Sequence, residues 1–279
     1  MQDLSPDMIQ RMYNHLRNQK GLAPKTLRNI HGILHRSLND LVECGKIKSN
    51  PAALPGKHLP KIVKQEMEFI ADVELAKVMA VIKGNPYENL FLVDLFTGLR
   101  QGELLGLRWS CVDFARKCIT VDKQLYMPEK GGEYSLQSLK NSKTRIIYPA
   151  PFVFDTLRRE RLKQNEARLI AGELWDEGNL PGLVFTNEFG RHLSHKTVYK
   201  QFKQAAAEAG IPTVRFHDMR HSYAVASLRS GDDVKTVQEN LGHATAAFTL
   251  NVYGHVTDDM RKESAARMEQ YISSIQAAK

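Results

Sequence analysis

Residues 97–109 read TGLRQGELLGLRW, and this stretch decides how the larger part of the chain folds. Apolar residues at helical spacing follow Arg100, so a helix is predicted over 101–107, just after a glycine turn at Gly98. An arginine at the start of a helix favours a bound phosphate, because the free backbone amides there carry partial positive charge. An arginine that only caps the helix would fit these residues equally well.

Three further segments downstream carry candidate chemistry. In HDMRH, His217 and Arg220 are three residues apart and share a helix face, so both can point at one object. His217 and His221 have the spacing of two metal ligands, but the metalloprotease glutamate and a third ligand are lacking, so no metal site is predicted. His243 follows a helix-ending glycine in LGH, and Tyr253 lies ten residues later beside another glycine. Each of these residues, taken singly, is more often structural than catalytic.

The periodicity around these segments predicts a mainly helical unit with one small antiparallel sheet. An alternating, β-branched run over 117–126 predicts a strand, RIIY at 145–148 predicts a second, and the turn residues of 128–133 lie between them. Helical spacing is found in the other segments. The predicted helices of this unit are 72–83, 87–97, 101–107, 151–171, 195–209, 217–230, 233–241 and a segment from about 257.

The first 62 residues differ in charge from the rest of the chain. They hold ten Lys or Arg and four Asp or Glu, and so carry +6 of the total net charge of +8. Two short helices are predicted here, followed by a proline-containing linker over 50–60. A solvated helix face would explain the charge, but two short helices enclose little core, so we expect this unit to lean on a neighbour, on DNA or on a further segment. The candidate DNA-binding residues are Lys25, Arg28, His31, Arg36, Lys46 and Lys48.

Composition excludes several classes of protein. The 279 residues are 42% hydrophobic and 25% charged, as in ordinary globular proteins, and contain no apolar run of transmembrane length. No secretory signal pattern is present at the N-terminus. The three cysteines, Cys44, Cys111 and Cys118, fit neither a disulfide framework nor a zinc site. We therefore expect reduced cysteines and a cytoplasmic protein.

Taken together, and in this order, the segments TGLRQGELLGLRW, FHDMRHSYA and LGHATAAFTLNVYGHV resemble the tyrosine recombinase (phage integrase) family. The resemblance covers nearly the whole chain and implies a two-domain DNA clamp. Residues 1–62 resemble a helical core-site DNA-binding domain, and 63–279 resemble the catalytic domain. The family has more helix upstream, so we expect the first domain to be truncated at its N-terminus. The turn-containing insertion between the strands is most similar to integrases of Gram-positive conjugative transposons and related phages.

The resemblance implies a role for each motif residue. Arg100 and Arg220 match the two phosphate-clamping arginines, and His243 matches a second phosphate-binding residue. His217 matches the general-base histidine, and Tyr253 matches the nucleophile. The family also places a lysine in the β-hairpin, where Lys140 matches better than Lys143. These residues imply DNA cleavage through a 3′-phosphotyrosyl intermediate without metal, ATP or any cofactor.

The family resemblance also implies the partners. They are double-stranded DNA attachment sites and further copies of the chain in a tetramer, joined through the segment after Tyr253, with accessory DNA-bending or excision factors as further candidates. The implied role is integration or excision of a mobile element. Two alternatives stay open at this point: a type IB topoisomerase with the same tyrosine chemistry, and a non-catalytic DNA-binding regulator.

Overall fold

The computed structural model describes residues 4–53, 59, 61, 70–128, 132–139, 144–242, 268, 269 and 271–276. The chain folds as two compact units, Met1–Glu66 and Met67–Lys279. Across the described residues, no helix combines the length and the apolar character needed to cross a bilayer.

The first unit is built on helices α1 (Pro6–Asn18) and α2 (Pro24–Glu43). Ser5 caps α1 by accepting a hydrogen bond from the Met8 backbone N–H at 3.3 Å, and both helices begin with proline, whose missing N–H costs nothing in a first turn. A small apolar cluster joins the two helices to the segment that follows them. Its buried members are Ile9, Tyr13, Leu38 and Ala52.

The second unit contains seven described helices with assigned bounds. They are α3 (Asp72–Ile82), α4 (Glu88–Thr97), α5 (Gln101–Leu105), α6 (Pro151–Ala171), α7 (His195–Glu208), α8 (Phe216–Arg229) and α9 (Val234–Leu241). Helix α4 is apolar on nearly every side and packs against α6 and α8, so it lies at the centre of the core. Phe91 on α4 contacts Phe202 and Phe216 edge-on or tilted, which fixes α7 and α8 around it.

Two small antiparallel sheets lie in the segment between α5 and α6. Strands β1 (Val112–Asp113), β2 (Cys118–Val121) and β5 (Arg145–Ile147) form one sheet in the order β1-β2-β5. Strands β3 (Lys123–Tyr126) and β4 (Ser135–Ser138) form a separate hairpin. Arg145 is paired with Val121 and Ile147 with Ile119, so β5 extends the sheet beside β2.

The predicted fold class, mainly helical with small antiparallel structure, is confirmed, but the sheet differs in detail. The predicted strand over 117–126 is divided at Asp122, whose carboxylate accepts a hydrogen bond from Arg108 at 2.5 Å. Ile119, Val121 and Leu125 occupy alternate positions on both sides of Asp122, so periodicity does not reveal that the chain changes pairing partners there. The single predicted sheet is therefore two sheets.

Candidate active site

Arg100 is positioned by a tight turn between α4 and α5. Gly98 ends α4 in the left-handed region at φ 61°, and a Cβ at this residue would lie 2.4 Å from Cδ1 of Tyr223. The turn buries Leu99 and puts Arg100 at the start of α5 with extended backbone angles. The Arg100 side chain is 39% exposed, so it stays accessible while its neighbours are buried.

Helix α8 supplies the second arginine and the histidine of the same motif. Arg220 is 2% exposed and donates from Nη1 to the Gly98 carbonyl oxygen at 2.7 Å. This bond joins α8 directly to the turn that carries Arg100. His217, one turn earlier on α8, lines a cavity of about 290 Å³ together with Arg220. The other residues that line it are Leu99, Gln101, Tyr199, Arg215 and Phe216.

The pKa of His217 is lowered mainly by partial burial of its ring, and the positive charge of Arg220 lowers it further. The neutral imidazole is therefore favoured, which is the form that can accept a proton. His221, one turn further on, is 5% exposed and packs edge-on against His217 with ring centroids 4.9 Å apart. Burial and the neighbouring His217 lower the pKa of His221 to about 4, so this ring is a neutral packing group.

Three arginines converge on the carbonyl end of α9. The Nε of Arg145 donates to the Asn240 oxygen at 2.8 Å, Nη2 of Arg220 to the Leu241 oxygen at 2.5 Å, and Nη2 of Arg100 to the Gly242 oxygen at 3.1 Å. The last carbonyls of a helix have no partner within the helix and carry partial negative charge, so they suit guanidinium donors. Gly242 ends α9 in the left-handed region at φ 65°.

Glu103 balances part of this positive charge. It is 2% exposed; its Oε1 accepts from Arg100 Nη1 at 2.7 Å and from Arg145 Nη1 at 3.1 Å, and its Oε2 accepts from Arg145 Nη2 at 2.6 Å. Burial alone would raise the pKa of Glu103, but the hydrogen bonds and charges of Arg145 and Arg100 outweigh it and lower this pKa to about 2. The carboxylate is therefore ionised throughout the physiological range.

A second acid, Asp94, lies in the same region, and its carboxylate has no hydrogen-bond partner among the described residues. Asp94 on α4 is 1% exposed, and within the described part of the chain neither of its carboxylate oxygens has a partner. Burial raises the pKa of Asp94 well above its ordinary value, with Arg220 opposing the shift and Glu103 adding to it. The neutral form is therefore favoured, so Asp94 subtracts little from the positive charge of the arginines.

Of the six residues predicted to be catalytic, Arg100, His217 and Arg220 lie in the described structure, on the turn and helix that meet at this cluster. Lys140, its alternative Lys143, His243 and Tyr253 lie outside the described residues. The sequence patterns assign no function to Glu103 or Asp94, and they place Arg145 only at the start of a predicted strand. A glutamate three residues into a helix is a capping signal that could have indicated Glu103, whereas nothing local marks Arg145 or Asp94.

The residues predicted to bind DNA lie on α2 and just after it. Lys25, Arg28, Arg36, Lys46 and Lys48 are exposed. His31 is half-buried instead, with its Nδ1 3.0 Å from the Tyr13 hydroxyl. Burial lowers the pKa of His31, and the charges of His35 and Arg28 lower it further. His31 therefore joins α1 to α2, and the exposed cations are the better candidates for phosphate contacts.

Within the described residues, no group of three or more His, Cys, Asp or Glu side chains is placed to hold a metal ion. In the described part of this region, guanidinium groups supply positive charge that a phosphate could bind.

Comparison with known proteins gives consistent results. Residues 68–260 match the sequence pattern of the Phage integrase family. The chain is 34% identical over 262 residues to the tyrosine recombinase XerC-like protein of Caldanaerobacter subterraneus subsp. tengcongensis, covering 89% of this chain and 66% of that protein. It is 26% identical over 270 residues to the ICEBs1 integrase of Bacillus subtilis, covering 91% and 68%. The chain thus spans about two thirds of the length of these relatives.

Solved structures with the same fold include two in complex with DNA. The Tn1549 transposon integrase in complex with a circular intermediate DNA matches with a TM-score of 0.78 at 19% identity, covering 96% of this chain and 86% of that one. A lambda integrase dimer bound to a COC′ core site matches with a TM-score of 0.59 at 17% identity, covering 90% and 80%. At these identities the likeness is one of fold.

Proposed function

Because this chain belongs to the Phage integrase family, we propose that it is a site-specific DNA recombinase that integrates or excises a mobile element by cleaving and rejoining DNA strands. The observation that carries the proposal is the meeting of Arg100 and Arg220 at the carbonyl end of α9, immediately before His243 in the sequence. The likeness to the Tn1549 and ICEBs1 integrases supports an element of the conjugative transposon type.

The arginine cluster suits phosphoryl transfer in the absence of a metal ion. Attack on a phosphodiester builds negative charge on the non-bridging oxygens, and planar guanidinium groups can hold that charge through paired hydrogen bonds. Glu103 and the α9 carbonyls fix Arg100 before substrate arrives, so little reorganisation is needed during the reaction. Two guanidiniums would then perform the role that metal ions perform in other phosphoryl-transfer enzymes.

In the proposed reaction, the Tyr253 oxygen attacks the phosphorus and forms a 3′-phosphotyrosyl bond while the bond to the 5′-oxygen breaks. A phenol has a pKa of about 10, so its proton must be removed, and the neutral form of His217 can accept it. Lys140 would donate a proton to the departing 5′-oxygen. A 5′-hydroxyl from another strand then reverses these steps, and the energy of the phosphodiester bond is conserved.

Duplex DNA is the proposed partner, with Met1–Glu66 as the core-site binding unit. The exposed cations of α2 support this assignment, and so does the DNA present in the solved Tn1549 and lambda integrase complexes. Lys25, Arg28 and Arg36 lie along one side of α2, where they could follow a phosphate backbone. The proposed location is the bacterial cytoplasm, on DNA, and accessory DNA-bending or excision factors are further proposed partners.

The C-terminal segment supports assembly on DNA as a tetramer. Residues 268, 269 and 271–276 are helical, and four apolar side chains among them are 41% to 61% exposed. They are Met268, Tyr271, Ile272 and Ile275. The spacing of three, four and seven residues puts them on one helix face, which a neighbouring protomer could cover. Such docking from one protomer to the next would close a ring of four.

Covalent trapping tests the proposal. The chain is incubated without metal with nicked duplexes from candidate element ends, and any protein–DNA adduct is mapped by mass spectrometry. We expect an adduct at Tyr253 that Tyr253→Phe abolishes and that the control Tyr148→Phe, at a side chain 66% exposed, retains. An adduct that persists in Tyr253→Phe contradicts the mechanism. Strand exchange between two duplexes separates a recombinase from a topoisomerase, and DNA binding without any adduct would indicate a regulator.

A further inference from the structure

Arg145 connects three segments of the candidate active site, yet no motif marks it. It lies on β5, and its side chain is 11% exposed. It donates two hydrogen bonds to Glu103 on α5, at 3.1 and 2.6 Å, and one from Nε to the Asn240 oxygen at the end of α9, at 2.8 Å. A single guanidinium thus bridges the strand that follows Lys140, the helix that follows Arg100 and the helix that precedes His243.

Arg145 affects how far Glu103 neutralises the positive charge of Arg100. Without Arg145, the only cation among the described residues hydrogen-bonded to Glu103 would be Arg100. A buried carboxylate would then hold Arg100 alone and neutralise the charge that a phosphate needs. Because both Glu103 oxygens also accept from Arg145, the negative charge is shared between two guanidiniums.

We propose that Arg145 is a positioning residue for strand cleavage. By sharing Glu103, it prevents this carboxylate from neutralising Arg100 alone and leaves Arg100 aligned toward the phosphate. It also holds the end of α9 in register. This inference rests on the proposed recombinase function. Arg145 does not itself need to reach the DNA, since the groups it contacts in the described structure are Glu103 and the α9 carbonyl.

Arg145 could instead form an ion pair that only supports the fold. Replacing Glu103 distinguishes this structural role from the proposed charge-sharing role. If Arg145 only supports the fold, removing Glu103 as well adds a second defect. If Arg145 acts by sharing the charge of Glu103, replacing that glutamate by glutamine removes the negative charge that would otherwise neutralise Arg100. The double variant should then cleave faster than the variant that lacks Arg145 alone.

The first experiment measures single-turnover adduct formation on a nicked duplex for Arg145→Met, Arg145→Lys, Glu103→Gln and the double variant. The control is Arg158→Met, which removes an exposed pair with Asp155 on α6. We expect Arg145→Met to slow cleavage roughly 100-fold, as a small misplacement of a reacting group does, with DNA affinity unchanged. Arg145→Lys should recover part of the rate, and adding Glu103→Gln to Arg145→Met should raise it roughly tenfold. A wild-type rate for Arg145→Met, or a double variant no faster than it, overturns the proposal.

A second readout does not depend on activity. The pKa of Glu103 is lower in the folded chain than in the unfolded chain, so the ionised carboxylate stabilises the fold above about pH 4.5. This stabilisation is lost as the pH falls toward 2. We expect urea unfolding between pH 2 and 5 to show a smaller acid-dependent loss of stability in Arg145→Met than in the wild type. Once Glu103→Gln is present, Arg145→Met should no longer change this acid dependence. An unchanged acid profile in Arg145→Met overturns the proposal even if no adduct forms in any variant, an outcome that would count against the recombinase function separately.

Discussion

Arg220 donates from Nη1 to the carbonyl oxygen of Gly98 at 2.7 Å, although the two residues are 122 positions apart in the sequence. This bond joins the motif that contains His217 to the turn that presents Arg100. Since Arg220 is also bonded to the Leu241 carbonyl, one buried guanidinium connects three of the four sequence motifs. The geometry of the cluster therefore depends on the Gly98 turn.

Replacement of Gly98 by alanine should destabilise the second unit strongly. The alanine would have to adopt a left-handed backbone conformation at φ 61°, and its Cβ would lie 2.4 Å from Cδ1 of Tyr223. We expect a loss of about 2–4 kcal/mol in the free energy of unfolding, measured by urea titration. The control Gly84→Ala also has positive φ, at 77°, but nothing within 4 Å, and should cost only about 1 kcal/mol. Equal losses in the two variants would show that Tyr223 exerts no steric constraint.

Arg100→Lys should slow DNA cleavage while leaving the chain folded and bound to DNA. Lysine keeps the charge but cannot bond Glu103, the Gly242 carbonyl and a phosphate with one planar group. A loss of roughly 100- to 1,000-fold in the rate of adduct formation is expected, as for removal of one transition-state donor. Arg158→Lys, at an exposed side chain of α6, is the matched control. A near-normal rate for Arg100→Lys would refute the clamping role.

Asp94→Asn should stabilise the chain more at pH 8 than at pH 4. Burial raises the pKa of Asp94 in the folded state, whereas the unfolded carboxyl ionises near pH 4, so the carboxyl opposes folding increasingly as the pH rises above 4. The amide cannot ionise and removes this dependence. Urea unfolding at several pH values measures the effect, with exposed Asp155→Asn as the control. Parallel pH profiles for Asp94→Asn and the wild type would mean that Asp94 is ionised in the fold.

The basic side of α2 should determine much of the salt dependence of DNA binding. Removing one cation that neutralises a phosphate lowers the slope of log K against log salt by about 0.9, so Lys25→Gln and Arg36→Gln should each reduce it by roughly that amount. Arg11→Gln on α1, where Arg11 pairs with Asp7 at 2.9 Å, should leave the slope unchanged. Fluorescence anisotropy titrations at several salt concentrations measure the slopes. If both α2 variants had the same slope as the wild type, the assignment of α2 to the DNA interface would be wrong.

The sequence alone predicted the family and the fold class, and both are confirmed. This was possible because the chemistry of the family is concentrated in short segments around Arg100, Arg220 and His243, whose residue types and order are readable without coordinates. Helix bounds were also predictable: α6 has the bounds predicted for it, since Pro151 marks its first turn and Gly172 follows its last residue. The catalytic roles of all six residues stay predictions, and covalent trapping tests that of Tyr253 directly.

Tertiary structure alone decided which groups control the charge of the cluster. Glu103 and Asp94 are both buried acids, but the first is ionised because two arginines bond it, and the second favours the neutral form because it has no partner among the described residues. Arg145 reaches Glu103 and Asn240 from 42 and 95 positions away. Local patterns record spacing along one helix or strand, whereas burial and long-range hydrogen bonds depend on how separate segments pack, and these set the ionisation of each group.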